Sequence, residues 1–479
     1  MNIQDLSARI ECTELILETP AGNERGELKA VAQEDAVPYF SPRGRRIVHF
    51  IGSGMMGGRE KQLVLIAREQ TRQFAHQVTV VFQNPAGPNY EALLDHTDIR
   101  VISLKSPNET SLRAAIQTLR LACQHDVAFL HSPRIPFLLG LWLANRPVVY
   151  RLSGLQMSAP WPFQRAPLKP DEKSAMTTSK VTHLKPTSAA LQHPAKYVAV
   201  RIRRLIRWLL FVNFLRRRAV LVLVNSNFLK SVGQREYGLS DEKLLITRSG
   251  LDASLETERL ERARKGTQRD ELFTIGFVGR LDPRKRLDRL LQAVAPLVHA
   301  GSRLRVLIAG DGDLRRPLEQ LAVSLDIAAV VEFLGTRRNP YDVLSLCDLF
   351  VLPSDNEAFS NAALEAMFAG VPVAVFKDGC GTAEIIASHQ NGFLVGDIEE
   401  LQKLIRELLS CRDDCRHIGQ QARRSLETLG LTVQNQVRML NERIAGILQK
   451  NGNCLHPSNN AESAKRVLTS LHQQKGKQS

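Results

Sequence analysis

Cysteine is sparse and unpaired in this chain. Seven are scattered over 479 residues, at positions 12, 123, 347, 380, 411, 415 and 454, with no C-x-x-C pair among them. An odd, dispersed set argues against a disulfide framework and for a reduced, cytoplasmic protein. Cys411 and Cys415 share a helix face near His417, but two thiols and one imidazole fall short of a zinc site. Residues 1–43 lack periodicity and lack the basic start and apolar core of a secretory leader, so they are expected to be a mobile leader. Residues 451–479 are polar and read as a disordered tail.

Acidic residues are also in deficit. The 64 Lys and Arg outnumber the 49 Asp and Glu, for a net charge of +15. The excess is concentrated: residues 156–218 carry thirteen Lys and Arg against Asp171 and Glu172. The first part, 157–195, is rich in Pro, Ser, Thr and Lys and is expected to be a flexible insertion. The second, 196–218, is basic and apolar. Val198, Ile202, Leu205, Leu209 and Val212 fall on one helical face, and Lys196, Arg203, Arg204 and Arg207 on the opposite one. The longest uncharged run within it is eight residues, too short to span a bilayer. One reading makes it an ordinary helix of the fold. Another adds contact between its basic face, with Trp208 and Phe211, and an anionic membrane, which places the protein at the inner face of the cytoplasmic membrane. Nucleic acid ranks behind both, since no base-stacking platform or nucleic-acid motif accompanies the charge.

What is plentiful is the alternation of short apolar runs with helical periodicity, which predicts parallel sheets. A chain of this length needs more than one core. The expected class is α/β: residues 44–252, a linker over 253–271 (Glu/Arg-rich and without a strand), residues 272–430, and a last helix over 431–450. Candidate strands in the first half are 47–51, 78–82, 127–130, 147–150, 220–226 and 244–250. The loop 52–60 (GSGMMGGRE) opens a helix, and its Gly57 and Gly58 allow close approach of a phosphate or an acceptor.

The second half carries the sharper pattern. An apolar run, 272–279 (LFTIGFVG), leads into Arg280 and Lys285, and then into a helix through Leu287, Leu290, Leu291, Val294 and Leu297. Cationic side chains at the start of a helix make an anion site. Another run, 349–353, precedes a turn and a helix from about Ser360 to Ala369, stopped by Gly370 and Pro372. Glu357 then lies on the loop at the strand's carboxyl end, and Glu365 about one turn into the helix. Open α/β sheets bind ligands at that edge. Asp311 and Asp313 follow a further strand, 304–310, and suit a turn and a helix cap better than a metal.

These segments resemble, in order and spacing, the retaining glycosyltransferases of family 4, which have the GT-B fold. Glu357 and Glu365 are similar to the E-x(7)-E signature, Arg280 and Lys285 to G-R-x(4)-K, residues 330–335 and 371–395 to later family segments, and Gly57–Glu60 to the G-G-x-E loop. Ser249 and Asp252 stand where the family has i-x-N-G-v-D. The resemblance implies two Rossmann-like domains facing each other across a cleft. The last helix returns across that cleft, the donor nucleotide sugar sits on the C-terminal domain, and the acceptor on the N-terminal one. It implies that Arg280 and Lys285 neutralise the donor diphosphate, that Glu357 binds the sugar and Glu365 the ribose. Phe359, Ser360 and Asn361 would help hold phosphate or sugar, and the loop with Gly335, Thr336 and Arg337 the base. No cofactor and no obligatory metal are implied.

Two departures stand out. Arg286 follows Lys285 where the family usually has Gly, and Ser153 stands where many members carry an acceptor-side His, with His131 as a partial substitute. The expected function is sugar transfer to a glycan or lipid-linked acceptor in cell-surface polysaccharide synthesis. The alternatives are a non-catalytic GT-B partner that binds a sugar nucleotide or glycan, and a nucleotide-sugar epimerase.

Overall fold

Two wholly parallel sheets organise the chain. In the first, β1 (Arg46–Ser53), β2 (Gln77–Asn84), β3 (Ile99–Ser103), β4 (Val127–Leu130), β5 (Val148–Arg151), β6 (Ala219–Val224) and β7 (Leu244–Ile246) lie in the order 3-2-1-4-5-6-7. In the second, β8 (Phe273–Val278), β9 (Leu304–Ala309), β10 (Val331–Gly335), β11 (Leu349–Leu352), β12 (Val373–Phe376) and β13 (Phe393–Val395) lie in the order 10-9-8-11-12-13. The computed structural model describes residues 44–152, 194–265 and 271–450, apart from 55–56, 85–86, 95, 107–110, 356, 378–380 and 388–389. The expected leader 1–43, most of the insertion 157–195, Ser153, the tail, and Cys12, Cys380 and Cys454 lie outside the described residues. All described residues fall within one compact unit.

Each sheet reverses direction once, between β1 and β4 in the first and between β8 and β11 in the second. At such a reversal the following connections run to opposite faces and leave a crevice at the carboxyl edge, where α/β proteins bind ligands. The central strands are buried on both faces, as crossover helices require. Every residue of β4, β5, β11 and β12 is buried. The segment 253–271, expected as a linker, contains a helix, Ala253–Arg264, capped by Asp252, whose carboxylate accepts from the Ser254 and Leu255 amides.

The last helix, Val433–Lys450, follows the second sheet but packs on the first. Leu440 and Ile444 join Ile47, Val127, Phe129, Leu221 and Leu223, and Val437 joins Leu65 and Ile66. The two segments that pass between the sheets bind one another. Leu251 donates to Leu431 O at 3.1 Å and accepts from the Val433 amide at 3.0 Å. A Cβ on Gly250 would stand 2.3 Å from the Thr432 carbonyl carbon, so this crossing tolerates only glycine.

The basic helix, Pro194–Arg217, departs from the expected face. Its buried stripe is Phe211, Val212 and Leu215, with Phe214, Trp208 packs partly buried against it, and Phe211 meets Tyr150 and Tyr237 edge-on. Ile202 and Leu209, placed by periodicity on the inward face, are half-exposed, as are Ile206 and Leu210. Among the described side chains, those packed on the core lie at 208–215, where the large aromatics outcompete the aliphatics for the inward face. Of the two aromatics in the expected membrane contact, Phe211 belongs to the core, while Trp208 is partly buried. Side chains of Lys196, Val198, Arg203 and Arg204 lie outside the described residues. Among the described residues, no helix is long and apolar enough to cross a membrane.

Candidate functional site

The strand β8 ends in a turn built around charge. Asp282 caps the short 3-10 turn Pro283–Lys285 by accepting from the Arg284 amide at 3.0 Å, and it pairs with the Arg284 guanidinium. Burial raises the Asp282 pKa, but the bonds and charge of Arg284 outweigh it and hold the carboxyl below its ordinary range. Gly310 enables a close approach: with φ at +143°, a Cβ there would lie 1.8 Å from Gly279 O. This turn presents Lys285 inward. Arg280 is exposed, and its side chain makes no hydrogen bond or ion pair among the described residues.

Arg286 occupies the family's glycine position and takes the left-handed conformation a glycine would, with φ 46° and ψ 40°. Paired hydrogen bonds to Asp288 and an ion pair with Asp355 at 3.4 Å hold the Arg286 side chain.

The two glutamates come to the same edge by different routes. Glu357 lies on the loop after β11, and its carboxylate takes the Lys285 ammonium at 2.6 and 2.7 Å. Its carbonyl accepts from the Gly381 amide at 2.8 Å. Glu365 is on the helix Asn361–Ala369, whose N-terminus is capped by Ser360 Oγ accepting from the Ala363 amide, and whose end is a left-handed Gly370. The Ser360 amide in turn donates to Thr382 Oγ1 at 2.9 Å, and Phe359 is buried beneath.

Contacts across the two sheets' carboxyl edges join the halves. Lys61, in the first turn of the helix Gly58–Phe74, makes a short bond to Glu365 and an ion pair with Glu256 at 3.1 Å. Burial works against the Lys61 ammonium, but Glu365 and Glu256 outweigh it and raise its pKa above the ordinary lysine value. Asn361 Nδ2 donates to Gly58 O at 3.0 Å. Glu384 accepts from the Asn227 and Phe228 amides, both at 2.9 Å, at the start of the helix Asn227–Tyr237. A Cβ on Gly381 would sit 1.9 Å from Ala358 O and 2.6 Å from Ser226 Cβ, so this glycine lies where the halves touch.

On the N-terminal side, His131 follows β4 and is fully buried with His49 of β1. His131 Nε2 and His49 Nδ1 are 3.0 Å apart, and His49 Nε2 is 2.8 Å from Gln70 Oε1. Burial holds both imidazoles neutral, pulling His49 to about 4 and His131 well below its ordinary value. Gly57 precedes its helix in an extended conformation without a side-chain cap.

The structure thus brings together Lys285, Glu357, Glu365, Asn361 and Gly58. It leaves Thr336 and Arg337 exposed after the edge strand β10, with no side-chain hydrogen bond to the rest among the described residues. Asp313 caps no helix: the helix Arg315–Ser324 starts from Leu314 without a side-chain bond, because the turn delays its start. Asp311 accepts from the Gly312 amide instead. No group of three or more His, Cys, Asp or Glu poised for a metal occurs among the described residues. Sequence reasoning missed Lys61, Arg59, His49 and Arg151. Only the Lys61 position, one turn into a helix opened by a glycine loop, carried a signal.

Comparison with known proteins agrees with this architecture. Residues 258–425 match the model of the family described as Glycosyl transferases group 1. The chain is 33% identical over 177 residues to the D-inositol 3-phosphate glycosyltransferase of Stackebrandtia nassauensis, covering 34% of this chain and 40% of that one. It is 32% identical over 161 residues to the 2-deoxystreptamine glucosyltransferase of Streptomyces kanamyceticus, covering 33% and 41%. The chain thus spans less than half the length of these curated relatives. Among solved structures, Anabaena Alr3699/HepE in complex with UDP and glucose superposes with a TM-score of 0.64 at 22% identity, over 84% of this chain and 99% of that one. WaaG, a glycosyltransferase involved in lipopolysaccharide biosynthesis, gives 0.56 at 19% identity, over 81% and 97%. These likenesses establish the fold: two Rossmann-like domains of the GT-B type.

Proposed function

We propose that this chain is a retaining glycosyltransferase of the family-4 kind. It moves a sugar from a nucleotide-sugar donor to a glycan or lipid-linked acceptor in the assembly of a surface polysaccharide or glycolipid. The observation that carries the reading is the pairing of Lys285 with Glu357 at the reversal of the second sheet, beside an Arg280 with an open guanidinium. The match of residues 258–425 to a glycosyltransferase family model supports it.

In this reading the donor diphosphate lies over the turn after β8. Negative charge grows on the departing nucleoside diphosphate as the glycosidic bond lengthens, and Arg280 and Lys285 stabilise it there. Glu357 orients the sugar hydroxyls while tempering the charge on Lys285. Glu365 takes the ribose hydroxyls, which requires the Lys61 ammonium to yield or to share it. Phe359, Ser360 and Asn361 line the helix start that faces the phosphates. Gly335, Thr336 and Arg337 take the base. With two cations at the leaving group, the transfer needs no obligatory metal, so a chelator leaves the rate unchanged.

A thermal-shift panel of UDP, GDP and ADP with their common sugars, on wild type and Glu365→Ala, tests the donor site. A shift for one nucleotide that the variant loses supports the reading, and acceptor turnover with the product's anomeric configuration read by NMR then tests retention. Binding without turnover on any acceptor would favour a non-catalytic binding partner. An epimerised donor formed without acceptor would favour an epimerase.

A further inference from the structure

The carboxyl edge of the first sheet carries a buried guanidinium, Arg151, that no carboxylate answers among the described residues. Arg151, the last residue of β5, is only 4% exposed, and its side chain makes no hydrogen bond or ion pair among the described residues. Burial, assisted by nearby Arg59, draws its pKa down to about 10. Arg59 stands one position into the helix after β1. Its Nη1 donates to His131 O at 3.1 Å, its Nε is buried without a hydrogen-bond partner, and the nearest carboxylate, Glu60, is 3.9 Å away.

His131 completes the cluster. Gln70 Oε1 accepts, so His49 Nε2 carries its proton, and His49 Nδ1 accepts from His131 Nε2. The neutral His131 then shows a bare Nδ1, which is buried and has no partner. Burying an unpaired guanidinium costs several kcal/mol. A fold that keeps the buried Arg151 Nη1 and the bare His131 Nδ1 without partners, with the partly buried Arg59 beside them at the sheet reversal, is shaped for a ligand with an anion and a neighbouring hydroxyl.

We propose that the acceptor carries an anionic group, a phosphate or a carboxylate on the accepting sugar or polyol. Arg151 and Arg59 hold that group, and a hydroxyl beside it donates to His131 Nδ1. This rests on the transferase reading, since it assigns the acceptor side of the same crevice. It explains why no carboxylate neutralises Arg151: a bidentate guanidinium–anion contact is left for the ligand.

The test uses the full chain. Nucleotide binding is measured first, by thermal shift with UDP, GDP and ADP. Glucose 6-phosphate, glucuronate and glucose are then titrated calorimetrically, with and without the best nucleotide. We expect one or both charged probes to bind at least about tenfold more tightly than glucose. The phosphate and carboxylate arms show which anion the site prefers. Arg151→Met and, independently, Arg59→Gln should erase that preference while nucleotide affinity stays as in wild type. Arg59→Gln keeps the test open if Arg151→Met does not fold. Equal binding of charged and neutral probes, no binding of either charged probe, or a preference that survives the folded variants would overturn the proposal. Loss of nucleotide binding in wild type would instead count against the transferase reading. Inorganic phosphate serves as a control: if it binds as tightly as glucose 6-phosphate and Arg59→Gln does not weaken it, the site is not an acceptor site.

Discussion

Lys285 Nζ lies 2.6 and 2.7 Å from the two carboxylate oxygens of Glu357, and each side chain is less than one-fifth exposed. The pair joins the turn after β8 to the loop after β11, the two strands that flank the reversal of the second sheet. It is balanced in the free protein, so an arriving diphosphate meets a lysine already fixed in place. Removing Lys285 would leave Glu357 unpaired where the donor must bind. Lys285→Ala should cut transfer by about two to three orders of magnitude, with near-wild-type circular dichroism. Turnover within a few-fold of wild type would remove Lys285 from the leaving-group site.

Lys61 makes the equivalent link across the halves, to Glu365 and Glu256. Glu256 is fully buried, and without Lys61 only Arg259, at 3.6 Å, faces its charge. Breaking such a pair typically costs about 3–5 kcal/mol. Lys61→Ala should therefore lower Tm by several degrees. It should also change nucleotide affinity, because Glu365 is freed for the ribose. A variant with unchanged Tm and unchanged nucleotide Kd would show that the contact holds neither the halves nor the site.

Arg286 is a non-glycine residue held left-handed, which costs about 1–2 kcal/mol for most L-residues. Its ion pairs are partly solvated and recover only part of that. Arg286→Gly should leave stability within about 1 kcal/mol of wild type, whereas Arg286→Val, β-branched and without the pairs, should lose about 2 kcal/mol or more. Urea denaturation of both variants measures this. A valine variant as stable as the glycine one would mean that the turn relaxes.

The buried imidazoles give a pH signature. His49 titrates near 6.5 when unfolded and at about 4 when folded, because burial disfavours its charged form. Below 6.5 the unfolded chain binds a proton that the folded chain refuses. Stability is then fully present above that pH and declines as the pH falls toward 4. The decline should amount to a few kcal/mol between pH 6.5 and 4. In His49→Gln, which removes that titration, the decline should be shallower. Identical slopes for the two proteins would show that His49 does not set the acid limit.

Much of the C-terminal half was legible as sequence. The run 349–353 is wholly apolar and 272–279 is broken only by Thr274, as suits strands buried on both faces, and Ser360 and Gly370 are strong local start and stop signals. Their helix was placed within one residue at its start. The basic helix was legible as a helix but not in its inward face. Periodicity alone weighs Leu209 like Phe211, whereas packing depends on which neighbours cover that stretch. β3 was missed, since Ile99–Ser103 is a short, partly exposed edge strand whose alternation is broken at Val101 and Ile102.

What the sequence determined by itself was local: which segments extend, which wind, and where glycine and charge interrupt them. Short-range sterics, capping and hydrophobic periodicity act within a few residues, so the places of Glu357, Glu365, Arg280 and Lys285 at strand ends and helix starts could be read without coordinates, while the roles proposed for them come from the family resemblance. Only the tertiary structure decided which charges are answered. Lys285 with Glu357 and Lys61 with Glu365 are contacts between residues 72 and 304 positions apart. Among the described residues, Arg151 is left without a carboxylate at the end of a strand by the same folding. Ion pairing and desolvation depend on distance through space, and that distance is set by the order of the strands in each sheet.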